Sequence, residues 1–237
     1  MEKELNTKAI QIIDRTPNVR SVRFVLPEPI EFFAGQFMFV TLNHEGKELS
    51  HPLSISNSPT EPGYVEFTKK ISESEFSQLL RQLKVGDSVK LKLPFGKFTL
   101  NPGFKSVAYI AGGIGITPIR SMIKFATDKK LATGIVLFYS NHRPEDIVFL
   151  EDFAEMEKQN PLLKVVHTIT CSEEIKEWQG RRGYIDEGLI QAAAPDYAQR
   201  KFYLCGPPKM MEVMQAMLKE KLCILPENII IEKFSGY

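Results

Sequence analysis

Val107-Ala108-Tyr109-Ile110-Ala111-Gly112-Gly113-Ile114-Gly115-Ile116-Thr117-Pro118 is the most informative stretch of the chain. An uninterrupted apolar run of this kind reads as a strand buried on both faces. The glycine-rich turn that follows lets the backbone approach a pyrophosphate, and the N–H groups of a helix N-terminus then bind the anion. The pattern is G-G-x-G-x-T-P, not G-x-G-x-x-G. Thr117 is expected to cap the helix, and Pro118 to fit its first turn.

On the C-terminal side the same grammar repeats. Apolar runs begin near Val107, Ile135, Lys164, Lys201 and Ile229. Their separation is roughly 30 residues, the length of a strand–helix–strand unit. Helix-like stretches lie between them at 118–125, 145–157, 186–193 and 208–221. This predicts an α/β doubly wound parallel sheet. The fourth run, Lys201–Cys205, ends in Gly206-Pro207-Pro208 and leads to a stripe of Met210, Met211, Met214, Met217 and Leu218. The Met stripe reads as helix core. Cys205 reads either as a small buried hydrophobe or as a thiol at the strand end where ligands of such sheets bind.

On the N-terminal side, from about residue 7 to 100, short alternating runs are separated by turn residues. Val22, Phe24 and Leu26 alternate with Arg23 and Val25; Val89, Leu91 and Leu93 alternate with Lys90 and Lys92. Further runs lie at 37–42 and 64–71. Strands of this length and spacing predict a small antiparallel β-barrel or sandwich. One helix interrupts them, with Phe76, Leu79, Leu80 and Leu83 on one face and Ser72 or Ser74 as its cap. Asn101-Pro102-Gly103 is the expected linker. The chain therefore divides into residues 1–102, the barrel, and 103–237, the α/β unit.

Composition excludes several classes. The 237 residues suit two domains of ordinary size. Thirty Lys and Arg against 29 Asp and Glu leave a net charge of +1, which argues against a nucleic-acid protein or a polybasic membrane anchor. No apolar stretch approaches the ~18 residues of a membrane span, and the N-terminus has no apolar signal core. Cys171, Cys205 and Cys223 form neither a disulfide framework nor an iron–sulfur motif. His44, His142 and His167 form no cluster, so no metal site is expected. A soluble protein of a reducing compartment, the cytoplasm, is the expectation.

Together these motifs resemble the ferredoxin–NADP(+) reductase superfamily of flavin oxidoreductases, in a single-chain form without an iron–sulfur domain. Gly112–Pro118 looks like its nicotinamide-nucleotide loop, with Gly112, Gly113, Gly115, Thr117 and Pro118 at the matching positions. Cys205-Gly206-Pro207-Pro208 is similar to its C-G-P-P segment, whose Cys faces the nicotinamide. The segment 139–146, with Ser140, Asn141 and Arg143, resembles the part that reaches the adenosine end, and the segment 178–185 the loop after it. In the barrel, His51-Pro52-Leu53-Ser54 stands where the family has R-x-Y-[ST]. His51 replaces the phosphate-pairing Arg, and Leu53 replaces the Tyr that packs on the flavin. A neutral His is a weaker phosphate partner than a bidentate Arg. Thr68, Lys69 and Lys70 lie at flavin-contacting positions, where the lysines supply positive charge. Ser74-Glu75-Phe76-Ser77 stands for the family's G-x-x-[ST], and Phe76 and Ser77 are assigned to the flavin with it. Glu75 suits the helix dipole there but would repel a nearby phosphate. Glu232-Lys233-Phe234 matches E-x-F, which returns the tail to the flavin, and Tyr237 is placed to stack on it.

The resemblance implies an NAD(P)H-dependent FAD oxidoreductase. Ser54 would hydrogen-bond flavin N5, Cys205 would contact the nicotinamide, and Glu232 would sit near the isoalloxazine. Electrons would pass to a separate acceptor: a ferredoxin, a flavodoxin, a haem protein or an oxygenase component. NADPH is favoured over NADH, because no acidic residue immediately follows the run at 135–139 and Arg143 or Ser140 can meet a 2′-phosphate. The competing reading is a nucleotide-binding regulatory or docking module that has lost its flavin. A methyltransferase leaves the barrel, the C-G-P-P segment and the tail unexplained.

Overall fold

The computed structural model describes residues 2–44, 46–171, 175 and 178–232. Its first half is an antiparallel sheet of β1 (Lys3–Thr16), β2 (Val19–Val25), β3 (Phe37–His44), β4 (Lys47–Ser54), β5 (Tyr64–Lys70) and β6 (Ser88–Phe95), with helix α1 (Glu75–Gln82) before the last strand. The order is β4-β3-β6-β1-β2-β5, and a bridge from Ile55 to Phe67 ties the two ends together. The alternation at 89–93 holds: Val89, Leu91 and Leu93 face the core and Lys92 is exposed. Each such Leu contributes about 1.5–3 kcal/mol through removal from water. Ser74 is the helix cap; its side chain accepts from the Ser77 N–H.

The second half is a parallel sheet of β7 (Ser106–Gly112), β8 (Gly134–Asn141), β9 (Leu163–Ile169), β10 (Arg181–Arg182), β11 (Lys201–Cys205) and β12 (Ile229–Glu232), in the order β10-β9-β8-β7-β11-β12. Helices α2 (Ile116–Asp128), α3 (Leu150–Gln159), α4 (Glu187–Ala193) and α5 (Pro208–Glu220) connect the strands. All five runs read from the sequence are strands. The chain moves outward from β7 in one direction and returns on its other side through β11. The carboxyl ends of β7 and β11 therefore flank the point where strand order reverses, the usual ligand position in open α/β sheets.

Two sequence expectations require correction. Thr117 is not the helix cap. A 3-10 turn at Gly113–Gly115 starts the coil early, Gly115 is the cap, and the Thr117 hydroxyl donates to the Ile114 carbonyl at 3.1 Å. The stretch 145–157 is not one helix either. Pro144–Asp146 forms a separate turn, and Phe149 at φ 64° interrupts the chain before α3.

The two halves share packing. Val19, Ala34, Phe98 and Leu100 from the barrel side join the same core as Ile119 and Met122 of α2. Phe98 meets Tyr203 edge-on at 5.5 Å, and the Tyr203 hydroxyl donates to the Thr99 carbonyl at 3.0 Å. No helix among the described residues is long and apolar enough to cross a membrane.

Candidate active site at the seam of the two sheets

A cavity of about 670 Å³ opens at the carboxyl ends of β7 and β8. Gly112, Gly113, Ser140, Asn141 and Pro207 line it from the parallel sheet, and Asn18, Val19 and Lys70 from the barrel. Its volume is that of an ordinary small-molecule or cofactor site. At Gly115 a Cβ would lie 2.3 Å from the Cys205 carbonyl oxygen, so glycine there is demanded by backbone packing. Gly113 differs: its φ is +50° and nothing lies within 4 Å of a Cβ, so its backbone is open to a ligand. Gly206 backs onto Gly112, with a Cβ position 3.0 Å from the Gly112 nitrogen. Pro118 lies in the first turn of α2, as expected.

Asn141 ends β8 at 5% exposure, and neither atom of its amide has a hydrogen-bond partner among the described residues. A buried unpaired amide is costly, and one that lines a cavity suits a polar ligand. Ser140 lies beside it at 9% exposure. Arg143 is not part of the cavity lining; its backbone N–H donates to Asp146 Oδ2 at 3.1 Å, and its guanidinium lies 4.0 Å from the Glu145 carboxylate. His142 and Asp146, within the segment 139–146, and the exposed Tyr184, within 178–185, also line the cavity, as do Thr170 and Lys209, which had no sequence signal of their own. An exposed aromatic such as Tyr184 at a cavity mouth can stack on a planar group.

Cys205 and Glu232 occupy paired positions on β11 and β12, so their side chains lie on one side of the sheet. Cys205 is fully buried. Burial pushes its thiol pKa well up, and the Glu232 charge adds to this. Burial also raises the Glu232 carboxyl. Phe234 and Tyr237 lie outside the described residues.

In the barrel, strand alternation sends Lys69 and Lys70 to opposite faces. Lys70 reaches the cavity just described. Lys69 lies on the His51 side; burial lowers its pKa, and it has no ion pair among the described residues. His51 is half-buried, its Nδ1 3.0 Å from the Pro52 carbonyl and its ring 5.1 Å from Phe76. Burial lowers its pKa, with the Lys69 charge as a further cause. Leu53 belongs to the barrel core at 8% exposure, as does Phe76 at 6%. Pro52 pairs with Phe39, and Ser54 with Phe37. The Ser54 hydroxyl makes no hydrogen bond among the described residues. The Thr68 hydroxyl is engaged in the interior, 2.6 Å from Ser21 and 2.9 Å from Ser56. Ser77 is buried among the hydroxyls of Ser72 and Ser74, at 3.1 and 3.0 Å. The Glu75 carboxylate is turned away to Lys47 at 3.1 Å. Its charge is thereby partly neutralised where a phosphate would otherwise meet repulsion.

These donors fit the two groups that the sequence implies. An unpaired buried amide and an open glycine backbone suit a nucleotide. A half-buried lysine without an acidic partner, a neighbouring imidazole and an unpartnered hydroxyl suit a flavin with its phosphates.

The family model of the oxidoreductase FAD-binding domain matches residues 7–100, and that of the oxidoreductase NAD-binding domain residues 109–216. The chain is 31% identical over 212 residues to NADH-cytochrome b5 reductase 1 of Dictyostelium discoideum, covering 85% of this chain and 72% of that protein. It is 28% identical over 221 residues to the glycine betaine monooxygenase reductase subunit of Chromohalobacter salexigens, covering 90% of this chain. It spans 60% of that subunit's length. The crystal structure of Amycolatopsis cytochrome P450 reductase GcoB superposes with a TM-score of 0.85 at 24% identity, over 99% of this chain and 71% of that one. With its FAD-binding and NAD-binding domains in this order, the chain belongs to the ferredoxin–NADP(+) reductase superfamily.

Proposed function

We propose that the protein is an NAD(P)H-dependent flavoprotein reductase that takes hydride from NAD(P)H onto FAD and passes electrons to a separate acceptor protein. The observation that carries this reading is a cavity walled by both lobes, with Lys70 of the barrel and Gly112–Ile114 of the parallel sheet among its lining. Bound FAD supplies the conversion between two-electron hydride chemistry and one-electron transfer.

The chain's own residues take the following roles in this reading. The backbone at 112–117 and the N-terminus of α2 hold the nucleotide pyrophosphate. Lys70 adds a counter-charge from the barrel, and Ser140 and Asn141 meet the adenosine portion. Lys69 and His51 hold flavin phosphate, and the Ser54 hydroxyl donates to flavin N5. Cys205 and Glu232 form the wall behind the nicotinamide. Hydride transfer needs little acid–base help, so this positioning supplies most of the rate. Residues 1–102 form the flavin unit and 103–237 the nucleotide unit. The acceptor is an oxygenase component, ferredoxin, flavodoxin or haem protein; the named relatives favour an oxygenase component or a haem protein. The free thiols of Cys205 and Cys223 suit the cytoplasm.

The test is optical. The purified protein should be yellow, release FAD on denaturation, and bleach anaerobically with NADPH or NADH. A colourless protein that FAD does not reconstitute would leave the nucleotide-binding module. Arg143→Ala probes nucleotide choice: a loss confined to NADPH supports a 2′-phosphate contact, and equal losses for both nucleotides remove it.

A further inference from the structure

Arg120 lies on α2, three residues beyond Thr117, at 5% exposure. Its guanidinium joins three separate segments. Nη1 donates to Glu61 Oε2 at 2.5 Å and to the Ser56 carbonyl at 3.2 Å. Nη2 and Nε donate to Asp152 Oδ2 of α3 at 2.8 and 3.0 Å. The next residue repeats the link, since the Ser121 hydroxyl donates to the Asn57 carbonyl at 2.7 Å. Two consecutive residues of α2 thus hold two consecutive carbonyls of the barrel, and Ser56 lies only two residues past Ser54.

The charges continue on the barrel side. Glu61 accepts from the Tyr64 hydroxyl at 3.1 Å, and Arg23 lies over the Tyr64 ring at 4.5 Å. Arg23 pairs with the buried Glu66 at 2.7 Å, and Arg15 with the same carboxylate at 3.3 Å. The Phe149 ring, held at a left-handed φ of 64°, has the Arg15 guanidinium 4.9 Å from its centroid and that of Arg120 at 5.5 Å. A bulky residue in that conformation persists only where its surroundings hold it. The seam therefore carries three arginines and three carboxylates, arranged in alternation and largely shielded from water.

We infer that Arg120 is a positioning residue that sets the distance between Ser54 and the 112–117 loop, and hence the reach of the hydride. The inference rests on the reductase reading above. The Ser56 carbonyl and the phosphate loop are separated by one guanidinium and one turn of helix. A planar fork with donors on three sides can hold that geometry; a lysine, with one point charge, cannot satisfy all three partners.

The test compares Arg120→Lys, Arg120→Ala and Glu61→Gln in the flavin-loaded protein. Flavin content is read first. The limiting rate of anaerobic flavin reduction should then fall about tenfold or more, since misplacement by an ångström can cost ~100-fold. The nucleotide Kd should move less than about threefold, a split that separates positioning from binding. Long-wavelength charge-transfer absorbance, which reports ring contact, should weaken in all three variants. Hydrogen exchange, which needs no redox activity, should quicken together at 54–61 and in the first turn of α2. Unchanged limiting rate and charge-transfer absorbance alongside faster exchange would make Arg120 a structural brace and overturn the inference. So would unchanged exchange. Should Arg120→Ala fail to fold, Arg120→Lys and Glu61→Gln carry the same comparison. A wild-type protein that takes up no flavin overturns the reductase reading and the rate clause with it, and the exchange arm alone then judges the link between lobes.

Discussion

Cys205 and Glu232 stand side by side on adjacent parallel strands, and burial favours the neutral form of each. The pairing sets a thiol and a carboxyl side by side at the strand ends, where the carboxylate charge further opposes ionisation of the thiol. It also makes the thiol a poor nucleophile, because the thiolate is the reactive form.

A thiol reagent should therefore modify the native protein quickly at Cys223 alone, the exposed one of the three cysteines. Full reaction of Cys171 and Cys205 should require denaturant. Counting released chromophore before and after unfolding checks this. Fast native modification that survives Cys223→Ser would refute the buried placement of the other two.

Glu232 and Glu61 should bend the stability–pH curve in opposite senses. Burial raises Glu232, so the folded state holds its proton longer than the unfolded chain, and stability falls as pH rises above the ordinary carboxylate value of 4.5. For Glu61, burial also works upward, but Arg120 outweighs it and the net shift is down. That stability is present above 4.5 and is lost as pH falls further. Urea midpoints across pH should show Glu232→Gln gaining on wild type toward alkaline pH, and Glu61→Gln with a flatter acid limb. Curves that stay parallel to wild type would contradict both shifts.

His167 should stay neutral far into acid. Burial lowers its pKa to about 4, and its Nδ1 is buried without a partner among the described residues. The associated stability is complete above 6.5 and is lost as pH falls toward 4. A histidine NMR titration with an ordinary midpoint near 6.5 would show that the ring is solvated.

Asn141→Leu should separate stability from binding. Removing an unpaired buried amide relieves a cost of about 1–3 kcal/mol, so the melting temperature should hold or rise. Nucleotide affinity should fall about tenfold, the equivalent of ~1.4 kcal/mol. Calorimetry with both nucleotides checks the pair, and unchanged affinity would remove Asn141 from the site.

Gly115→Ala should damage the fold itself. Its Cβ would fall 2.3 Å from the Cys205 carbonyl oxygen, where neither backbone can yield cheaply. A loss near the upper end for overpacking, about 3 kcal/mol, corresponds to roughly 6–12 °C in Tm. A variant that melts with wild type would mean that the two backbones are not in contact.

Much of this architecture was legible because local pattern and local structure share a cause. The runs at Val107 and Ile135 are apolar on both faces because parallel strands are covered on both sides. The alternation at 89–93 follows the pleat. The N-terminal half was read less completely. β4 contains Pro52, which argues against a strand, yet β4 is the sheet edge, where a missing N–H breaks no ladder bond. β1 is 14 residues long, and register shifts near Ala9 and Thr16 blur its alternation. The first turn of α3 was misread because Phe149 adopts a backbone that few bulky residues adopt.

The sequence by itself determined the two sheets, their order along the chain, the glycine-rich turn after β7 and the strand-end position of Cys205. Each depends on the period of apolar residues or on the backbone freedom of glycine, both of which are written locally. Only the tertiary structure decided that Lys70 lines the cavity between the two lobes and Lys69 the other face, and that Arg120 meets Glu61 across 59 residues of chain. Such meetings arise from how one lobe docks on the other, and no local preference in the chain encodes that placement.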